Sequence, residues 1–167
     1  MQNQNTREEN IEKIKGILVS RNMKLSLCES CTGGFFSKIL TDYAGCSNWF
    51  IGSLVAYSND IKEKIGVSKN TMAIEGAVSK KTAEEMAINV LKFMDADISL
   101  AITGLAGPDG GTNDKPVGLV FFSCCQNGVD PQTESHLFSG NRDDIRQKAV
   151  DKGVEIILDC LSGNKSK

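Results

Sequence analysis

The sequence predicts an α/β protein, a three-layer α/β/α sandwich with a mixed, mostly parallel sheet of about five strands. Segments with helical apolar spacing interleave with apolar runs of strand length, and this order is typical of a sheet covered by helices. The last two strand runs are adjacent and joined by a Gly/Pro turn, so we expect them to pair antiparallel. A length of 167 residues with 40% hydrophobic residues indicates one core and a single domain over residues 1–167.

Five segments in the first half of the chain carry a helix or strand pattern. Apolar residues at helical spacing predict an amphipathic opening helix that ends near Arg21. An alternating run then predicts a strand, a glycine turn breaks it, and a second helix, a β-like run and a short charged helix follow. These segments cover residues 11–21, 24–28, 35–40, 51–57 and 59–65.

Five more segments follow in the second half. Ser79 is the predicted N-cap of a helix because apolar residues recur at helical spacing from Ala83 to Met94. Two apolar runs of strand length then flank a glycine-rich loop, and a third run alternates more weakly, as an edge strand does. A long helix with one apolar face ends the chain. The three strands and the last helix cover residues 98–103, 117–125, 132–138 and 142–161.

Composition and charge exclude several classes of protein. Lys and Arg number 19 against 21 Asp and Glu, so the net charge is −2 and no global field attracts nucleic acid or an anionic membrane. The longest uncharged stretch, residues 43–59, is too short and too polar to span a bilayer. The N-terminus has no apolar signal core, so we expect a cytoplasmic protein whose six cysteines remain thiols.

A candidate nucleophile, Ser30, stands where the first strand gives way to a helix. Such a junction exposes a hydroxyl at the end of the strand and aims free backbone N–H groups outward, which suits a nucleophile beside an oxyanion site. The alternative is an N-cap followed by the Gly33-Gly34 turn, since Ser and Gly are common at such junctions. The segment is not a nucleotide P-loop, which needs Gly-Lys-Ser/Thr.

A serine nucleophile needs a base, and the chain offers His136 or a lysine. His136 lies in the weak edge strand, where a surface imidazole is the simpler interpretation. Lys62 falls in the first turn of the short helix that Ser58 or Asn59 would cap, where the helix dipole and burial both disfavour an ammonium ion. Lowering its pKa to near 8 takes about 3 kcal/mol, of which a dipole supplies at most ~2 kcal/mol. The alternative is a solvated lysine.

Two later segments are candidates for anion binding. Residues 102–112 form a glycine-dense turn after a buried strand, which brings backbone N–H groups close to a ligand; a long hairpin-like loop is the alternative. Arg142 and Arg146 share one face at the start of the last helix, where they would hold a phosphate or a carboxylate. A solvated, charged helix start is the alternative for these two arginines.

The pair Cys28 and Cys31 invites a redox interpretation. A thioredoxin-type site would place both cysteines at a helix start, whereas Cys28 still belongs to the strand pattern. A zinc site would need a second close Cys/His pair, and the adjacent Cys124 and Cys125 point to opposite faces of a strand. We therefore predict structural thiols and no metal site.

The whole pattern resembles the CinA C-terminal domain family. The resemblance covers the chain from the opening helix to its end region, with a core of about residues 8–161. The family usually has a small residue where this chain has Cys28, a departure that we expect to leave the chemistry intact. Five motifs in the same order carry the resemblance: Glu29-Ser-Cys-Thr-Gly-Gly34, Tyr57-Ser-Asn59 with Lys62, Gly76-Ala-Val-Ser79, Thr103-Gly-Leu-Ala-Gly-Pro-Asp-Gly-Gly111 with Lys115-Pro-Val-Gly118, and Phe138-Ser-Gly-Asn-Arg142.

This resemblance implies deamidation of nicotinamide mononucleotide to nicotinate mononucleotide and ammonia, a step of pyridine nucleotide salvage. It also implies a serine/lysine mechanism with no metal and no cofactor. Neutral Lys62, helped by Tyr57, would take the proton of Ser30, which attacks the carboxamide carbon. Backbone N–H groups in the turn after Ser30 would hold the oxyanion. These oxyanion donors belong to Thr32, Gly33 and Gly34.

The resemblance further implies where the nucleotide binds and how the protein assembles. We expect a homodimer with a small-molecule substrate and with no nucleic acid or membrane partner. The alternatives are a non-catalytic nucleotide-binding module of the same fold and a thiol redox protein. The residues expected to hold the substrate are Thr103, Gly104, Gly107, Asp109, Gly110, Gly111, Arg142 and, more weakly, Arg146.

Overall fold

Helices and strands alternate along residues 2–163, the part of the chain that the computed structural model describes, with side chains from residue 6 onward. The helices there are α1 (Gln2–Ser20), α2 (Phe35–Thr41), α3 (Asn59–Lys64), α4 (Lys69–Ile74), α5 (Lys80–Phe93) and α6 (Arg142–Ser162). The strands are β1 (Leu25–Glu29), β2 (Phe50–Val55), β3 (Ile98–Gly104), β4 (Leu119–Gln126) and β5 (Val129–Leu137).

The five strands form one sheet in the order β2-β1-β3-β4-β5. Strand β1 pairs parallel with β2 on one side and with β3 on the other. The β3–β4 and β4–β5 pairs are antiparallel, so four of the five strands run in the same direction. The predicted mixed, mostly parallel sheet is confirmed.

Helices cover both faces of this sheet, which confirms the three-layer architecture. One face packs against α1, α2 and α6, and the other against α5, with the loops around α3 and α4 beside it. The two apolar layers differ in size, because the first cluster includes Trp49 and Phe36 while the second consists mainly of small and unbranched side chains. Within residues 2–163, no helix combines the length and apolarity needed to cross a membrane.

Local side-chain hydrogen bonds explain where the helices begin. The Ser79 hydroxyl accepts from the backbone N–H of Thr82 at 3.1 Å and caps α5 as predicted. Of the two caps considered for α3, Ser58 is the one observed. Asn141 and Asp144 form a capping box at the start of α6.

The structure differs from the predicted elements in three places. The six-residue helix α4 was not predicted, because it is too short to show an apolar period. The β4–β5 turn lies at Asn127 and Gly128, while Pro131 falls inside β5, an edge strand that tolerates a residue without an N–H donor. Strand bounds shift by at most three residues.

Parallel pairing brings the ends of β1, β2 and β3 to one edge of the sheet. Glu29, the last residue of β1, is in register with Val55 on β2 and Ile102 on β3. The backbone N–H of Ala56 donates to the Glu29 carbonyl at 2.8 Å, and that of Ser30 donates to the Ile102 carbonyl at 2.9 Å. The segments that leave these three strands therefore meet where ligands bind in open α/β sheets.

Candidate active site

The Ser30 hydroxyl and the Lys62 amine meet at this edge of the sheet. Lys62 Nζ lies 2.8 Å from Ser30 Oγ, a direct hydrogen bond between residues 32 positions apart. Ser30 is 7% exposed and Lys62 only 1%. The structure thus brings together the nucleophile and the base that the sequence predicted, in a largely water-excluded setting.

Two backbone carbonyls complete the surroundings of the Lys62 amine. Nζ donates to the carbonyl of Ala56 at 2.7 Å and to that of Tyr57 at 3.2 Å. Among the described residues, no carboxylate lies within salt-bridge distance of Lys62. Burial lowers the pKa of Lys62 below its ordinary value, since nothing here compensates a desolvated ammonium ion with an opposite charge.

This geometry suits both protonation states of Lys62. The ammonium form has three protons, which match the three acceptors on Ser30, Ala56 and Tyr57. In the neutral form the two remaining protons can stay on the backbone carbonyls, which leaves the nitrogen lone pair directed at the Ser30 hydroxyl. The arrangement can therefore accept the Ser30 proton and return it without moving the lysine.

The turn after Ser30 offers fewer free N–H groups than the sequence predicted. The Gly33 N–H donates to the Ser30 carbonyl at 3.1 Å, and the Gly34 N–H donates to the Glu29 carboxylate at 3.0 Å. Both groups are already paired, which corrects their assignment as oxyanion donors. Among residues 2–163, no carbonyl or carboxylate accepts from the N–H groups of Cys31 and Thr32. The three expected donors, Thr32, Gly33 and Gly34, all lie outside the cavity lining, whereas Cys31 lines the cavity beside Ser30.

Glu29 is a residue of this site that sequence reasoning missed. Its carboxylate is fully buried and accepts from backbone N–H groups at the start of α2. An acidic residue at the end of a buried strand, directly before a Ser-Cys-Thr-Gly-Gly turn and a helix, is the signal that could have identified it.

A cavity of about 210 Å³ opens beside Ser30 and Lys62. Most of the predicted site residues line it, together with five that were not predicted. The predicted ones are Ser30, Tyr57, Lys62, Thr103, Gly104, Gly107, Asp109 and Arg142. The five others, Cys31, Ala77, Val78, Leu105 and Ala106, add apolar surface to a cavity whose other lining residues are mostly polar or glycine.

Hydrogen bonds of three side chains, Arg142, Thr103 and Tyr57, connect the segments that line this cavity. Arg142 donates to the Gly107 carbonyl at 2.6 Å and to the Tyr57 hydroxyl at 3.1 Å. The Thr103 hydroxyl donates to the Ala77 carbonyl at 2.7 Å and ties the glycine-rich loop to the segment before α5. Tyr57 thus meets Lys62 through its carbonyl and Arg142 through its hydroxyl, so its ring spans the cavity mouth.

Three predicted substrate residues lie outside the cavity lining. Arg146 points to the back of the turn, where it donates to the Thr32 carbonyl at 2.7 Å and its guanidinium lies 5.6 Å from the centre of the Phe35 ring. Gly111 has no room for a Cβ, which would lie 2.9 Å from the Val117 nitrogen. Gly110 has a φ of +91°. The two glycines therefore serve the path of the loop itself.

The thiols and the histidine have structural surroundings. Cys28 and Cys31 are free and buried, and burial raises the pKa of each to about 12. A thiol that stays protonated is a poor nucleophile, which argues against the redox alternative. His136 is 2.8 Å from Glu134 on the edge strand β5 and lies outside the cavity lining.

A second, larger groove lies elsewhere on the molecule. It has a volume of about 960 Å³ and runs between α1 and α2, with charged side chains along its rim and Phe35, Ile39 and Tyr43 on its floor. Neither Ser30 nor Lys62 lines it. The smaller cavity is the candidate site, because Ser30 and Lys62, the predicted nucleophile and base, line it and make contact there.

Comparisons with known proteins identify the family of this chain. A family model described as the CinA C-terminal domain matches residues 7–161. The nicotinamide-nucleotide amidohydrolase PncC of Escherichia coli (strain K12) is 44% identical over 140 residues, which cover 83% of this chain and 85% of that protein. A CinA-like protein of Leptospira interrogans is 41% identical over 151 residues, covering 90% of this chain but 36% of that protein, so the chain spans about a third of that relative.

Solved structures give the same result. The crystal structure of the competence/damage inducible protein CihA from Agrobacterium tumefaciens matches with a TM-score of 0.89 at 34% identity, and the match covers 93% of this chain and 95% of that chain. Another crystal structure, a CinA superfamily protein from Enterobacter cloacae, matches with a TM-score of 0.88 at 35% identity, covering 93% of this chain and 92% of that chain. The chain belongs to the CinA C-terminal domain family.

Proposed function

We propose that this protein hydrolyses the carboxamide of nicotinamide mononucleotide to give nicotinate mononucleotide and ammonia, a step of pyridine nucleotide salvage. The observation that carries the proposal is the 2.8 Å contact between Lys62 Nζ and Ser30 Oγ inside a buried cavity. The Escherichia coli relative, which is named a nicotinamide-nucleotide amidohydrolase and is 44% identical over most of both chains, supports this substrate.

The first half of the reaction forms an acyl-enzyme. Neutral Lys62 takes the hydroxyl proton of Ser30 while Oγ bonds to the carboxamide carbon. The carbonyl oxygen gains negative charge, and the backbone N–H of Cys31, which lines the cavity beside Ser30 and donates to no carbonyl or carboxylate among residues 2–163, is the donor that can stabilise it. Lys62 then returns the proton to the leaving nitrogen, the C–N bond breaks, and ammonia departs. Ser30 now carries the pyridine carboxyl group as an ester.

The second half regenerates the enzyme with water. Lys62, neutral again after it gave its proton to ammonia, takes a proton from a water molecule that attacks the ester carbon. The bond to Ser30 Oγ breaks, the proton returns to Oγ, and nicotinate mononucleotide leaves. One amide and one water thus become one acid and one ammonia, and the side chains end as they began.

The cavity wall supports a substrate with an aromatic ring and an anionic tail. Ala77, Val78 and Leu105 supply apolar surface for a pyridine ring, and Arg142 at the mouth supplies a charged fork for a phosphate. Thr103, Gly104, Gly107 and Asp109 would contact the ribose phosphate. Tyr57 would contribute to catalysis by holding Lys62 with its carbonyl and by orienting Arg142 with its hydroxyl.

The location and the assembly of the protein are also part of what we propose. We place the enzyme in the cytoplasm as a homodimer, with a nucleotide substrate and with no nucleic acid or membrane partner. The near-neutral charge of −2 supports the lack of a polyanionic partner. Light scattering coupled to size-exclusion chromatography measures the mass of the assembly and tests the dimer directly.

Ammonia release from nicotinamide mononucleotide tests the function. We expect the purified protein to release one ammonia for each nicotinate mononucleotide formed, and Ser30→Ala and Lys62→Met to lose nearly all of this activity. A protein that binds the nucleotide but releases no more ammonia than Ser30→Ala would be a binding module, and the enzyme proposal would be wrong.

A further inference from the structure

Glu29 has a fully buried side chain, and the partners of its carboxyl group are all hydrogen-bond donors. Oε2 accepts from the backbone N–H groups of Gly34 at 3.0 Å and Phe36 at 3.1 Å. Oε1 accepts from the N–H of Ser37 at 2.9 Å and from the hydroxyl of Ser53 at 3.2 Å. Within the described part of the chain, no cation forms an ion pair with it.

A fully buried carboxylate is costly unless hydrogen bonds stabilise its charge. Here four donors do so, and three of them are N–H groups at the start of α2 that would otherwise lack partners. The bonds join the last residue of β1 to the first turn of α2. Ser30 and the turn that follows it lie between these two fixed points.

Two further contacts hold the same turn. The Gly33 N–H donates to the Ser30 carbonyl, and Arg146 donates to the Thr32 carbonyl from α6. A peptide unit is planar, so the first contact also fixes the direction of the Cys31 N–H, which shares a plane with the Ser30 carbonyl. The second contact holds the peptide unit between Thr32 and Gly33, because Arg146 donates to the carbonyl of that unit.

We propose that Glu29 and Arg146 are positioning residues, which hold the turn of residues 30–34 so that Ser30 Oγ faces Lys62 and the backbone N–H of Cys31 stays at the cavity wall. This inference rests on the proposed acyl transfer at Ser30. It assigns Arg146 to the reaction through the turn instead of through the substrate. Neither side chain lines the cavity, so neither touches the nucleotide.

The variant Glu29→Gln tests the inference with the least change in shape. An amide has one acceptor oxygen, so its NH₂ group must face N–H donors that the carboxylate accepted from, and the turn shifts. A misplacement of about 1 Å can cost 100-fold in rate, so we expect kcat to fall about 10- to 100-fold. We expect KM to stay within about threefold, because the substrate contacts come from other elements.

Arg146→Gln and Ser53→Ala extend the test if Glu29→Gln folds poorly. Arg146→Gln should lower kcat with little change in KM, whereas a substrate-binding arginine would raise KM. Ser53→Ala removes one of the four bonds to Glu29 and should lower kcat by less than about threefold. Ser99→Ala is the control, since it also removes one serine hydrogen bond from a strand, to the Ala87 carbonyl near the start of β3, and should keep full kcat.

Labelling of Ser30 by a fluorophosphonate, followed by intact mass, separates this inference from the proposed function. We expect Glu29→Gln and Arg146→Gln to slow labelling in proportion to kcat, with Ser30→Ala as the unlabelled reference. If the wild type is labelled but releases no ammonia from the nucleotide, the proposed function fails, and slower labelling of Glu29→Gln still supports positioning. Wild-type labelling and kcat in folded Glu29→Gln, or a rise in KM alone in Arg146→Gln, would overturn the inference. An unlabelled and inactive wild type would overturn both.

Discussion

The pH dependence of kcat/KM gives direct access to the protonation state of Lys62. The proposed base must be neutral, and burial lowers the pKa of Lys62 below its ordinary value. The rate should therefore rise with pH and level off above an apparent pKa that lies below the ordinary value for lysine. Measurements from pH 7 upward keep the substrate phosphate in one charge state, since its second pKa is near 6.

The change of kcat/KM with pH follows from the fraction of Lys62 that is neutral. An ordinary lysine with a pKa of about 10.4 is neutral in about one molecule in 2500 at pH 7, and each unit by which the pKa is lowered raises that fraction tenfold, at about 1.4 kcal/mol. The ammonium form of Lys62 donates three hydrogen bonds, and the neutral amine donates two and accepts one from the Ser30 hydroxyl, so the number of bonds is the same and burial favours the neutral form. Below the apparent pKa, kcat/KM should rise tenfold for each pH unit.

The free energy of unfolding should also depend on pH through Lys62. The unfolded chain binds the lysine proton more tightly than the folded protein, so the free energy of unfolding rises with pH between the folded pKa and about 10.4. The slope from this group approaches about 1.4 kcal/mol per pH unit, and Lys62→Met should lack it. Urea unfolding of both proteins at several pH values gives this difference.

Ammonia release is measured from pH 7 to 10 at a saturating and at a low concentration of the nucleotide, which gives kcat and kcat/KM as functions of pH. Because the free enzyme determines kcat/KM, this profile reports the base before substrate binds. A profile that is flat over this range would refute the role of Lys62 as the base. So would a Lys62→Met variant that keeps the wild-type profile and more than a tenth of the activity.

Three other changes test separate parts of the structure. Cys31→Ala should keep kcat within about threefold in the ammonia assay, because a thiol with a pKa of about 12 takes no part in the chemistry. Gly118→Ala should destabilise the protein by more than about 2 kcal/mol, because φ is +94° and a Cβ would clash with the Phe138 carbonyl. Its control, Gly16→Ala in α1, has free space and should stabilise the protein by about 0.5–1 kcal/mol in urea unfolding. Arg142→Gln should raise KM for nicotinamide mononucleotide at least tenfold and leave KM for the riboside, which lacks the phosphate, nearly unchanged.

The fold was predictable because its signals are local. Apolar spacing identified α5, Ser79 marked its start, and apolar runs identified β3 and β4. The weak alternation of residues 132–138 matched an edge strand, as β5 is. The order of strands in the sheet and the short helix α4 were not predictable in this way, because pairing partners and single helical turns leave no period in the sequence.

The site was predictable as a set of motifs but not as a geometry. Ser30 and Lys62 each had a plausible structural alternative, and only the parallel register of β1 and β2, with Glu29 opposite Val55, brings them into contact. The sequence also assigned the lowered pKa of Lys62 partly to a helix dipole. In the structure burial is the principal cause, since the amine lies on backbone carbonyls.

Residues that act through the backbone were the hardest to assign. The spacing of Arg146 predicts that it lies beside Arg142 at the substrate. In the structure it instead donates to the Thr32 carbonyl and packs over the Phe35 ring, outside the cavity. Glu29 was visible in the motif but had no role until its carboxylate was found on the N–H groups of α2. The same bonds explain why Gly34 cannot serve as an oxyanion donor.

The central claim is that Ser30, activated by Lys62, hydrolyses the amide of nicotinamide mononucleotide. The most direct measurement is the formation of a covalent ester between Ser30 and the pyridine carboxyl group of nicotinate mononucleotide, trapped by acid quenching within the first turnover and located by peptide mass spectrometry. The account predicts this ester on Ser30 in the wild type, with ammonia released in step, and neither product in Ser30→Ala. Ammonia release by Ser30→Ala at the wild-type rate, or an ester found on Cys31 instead, would contradict it.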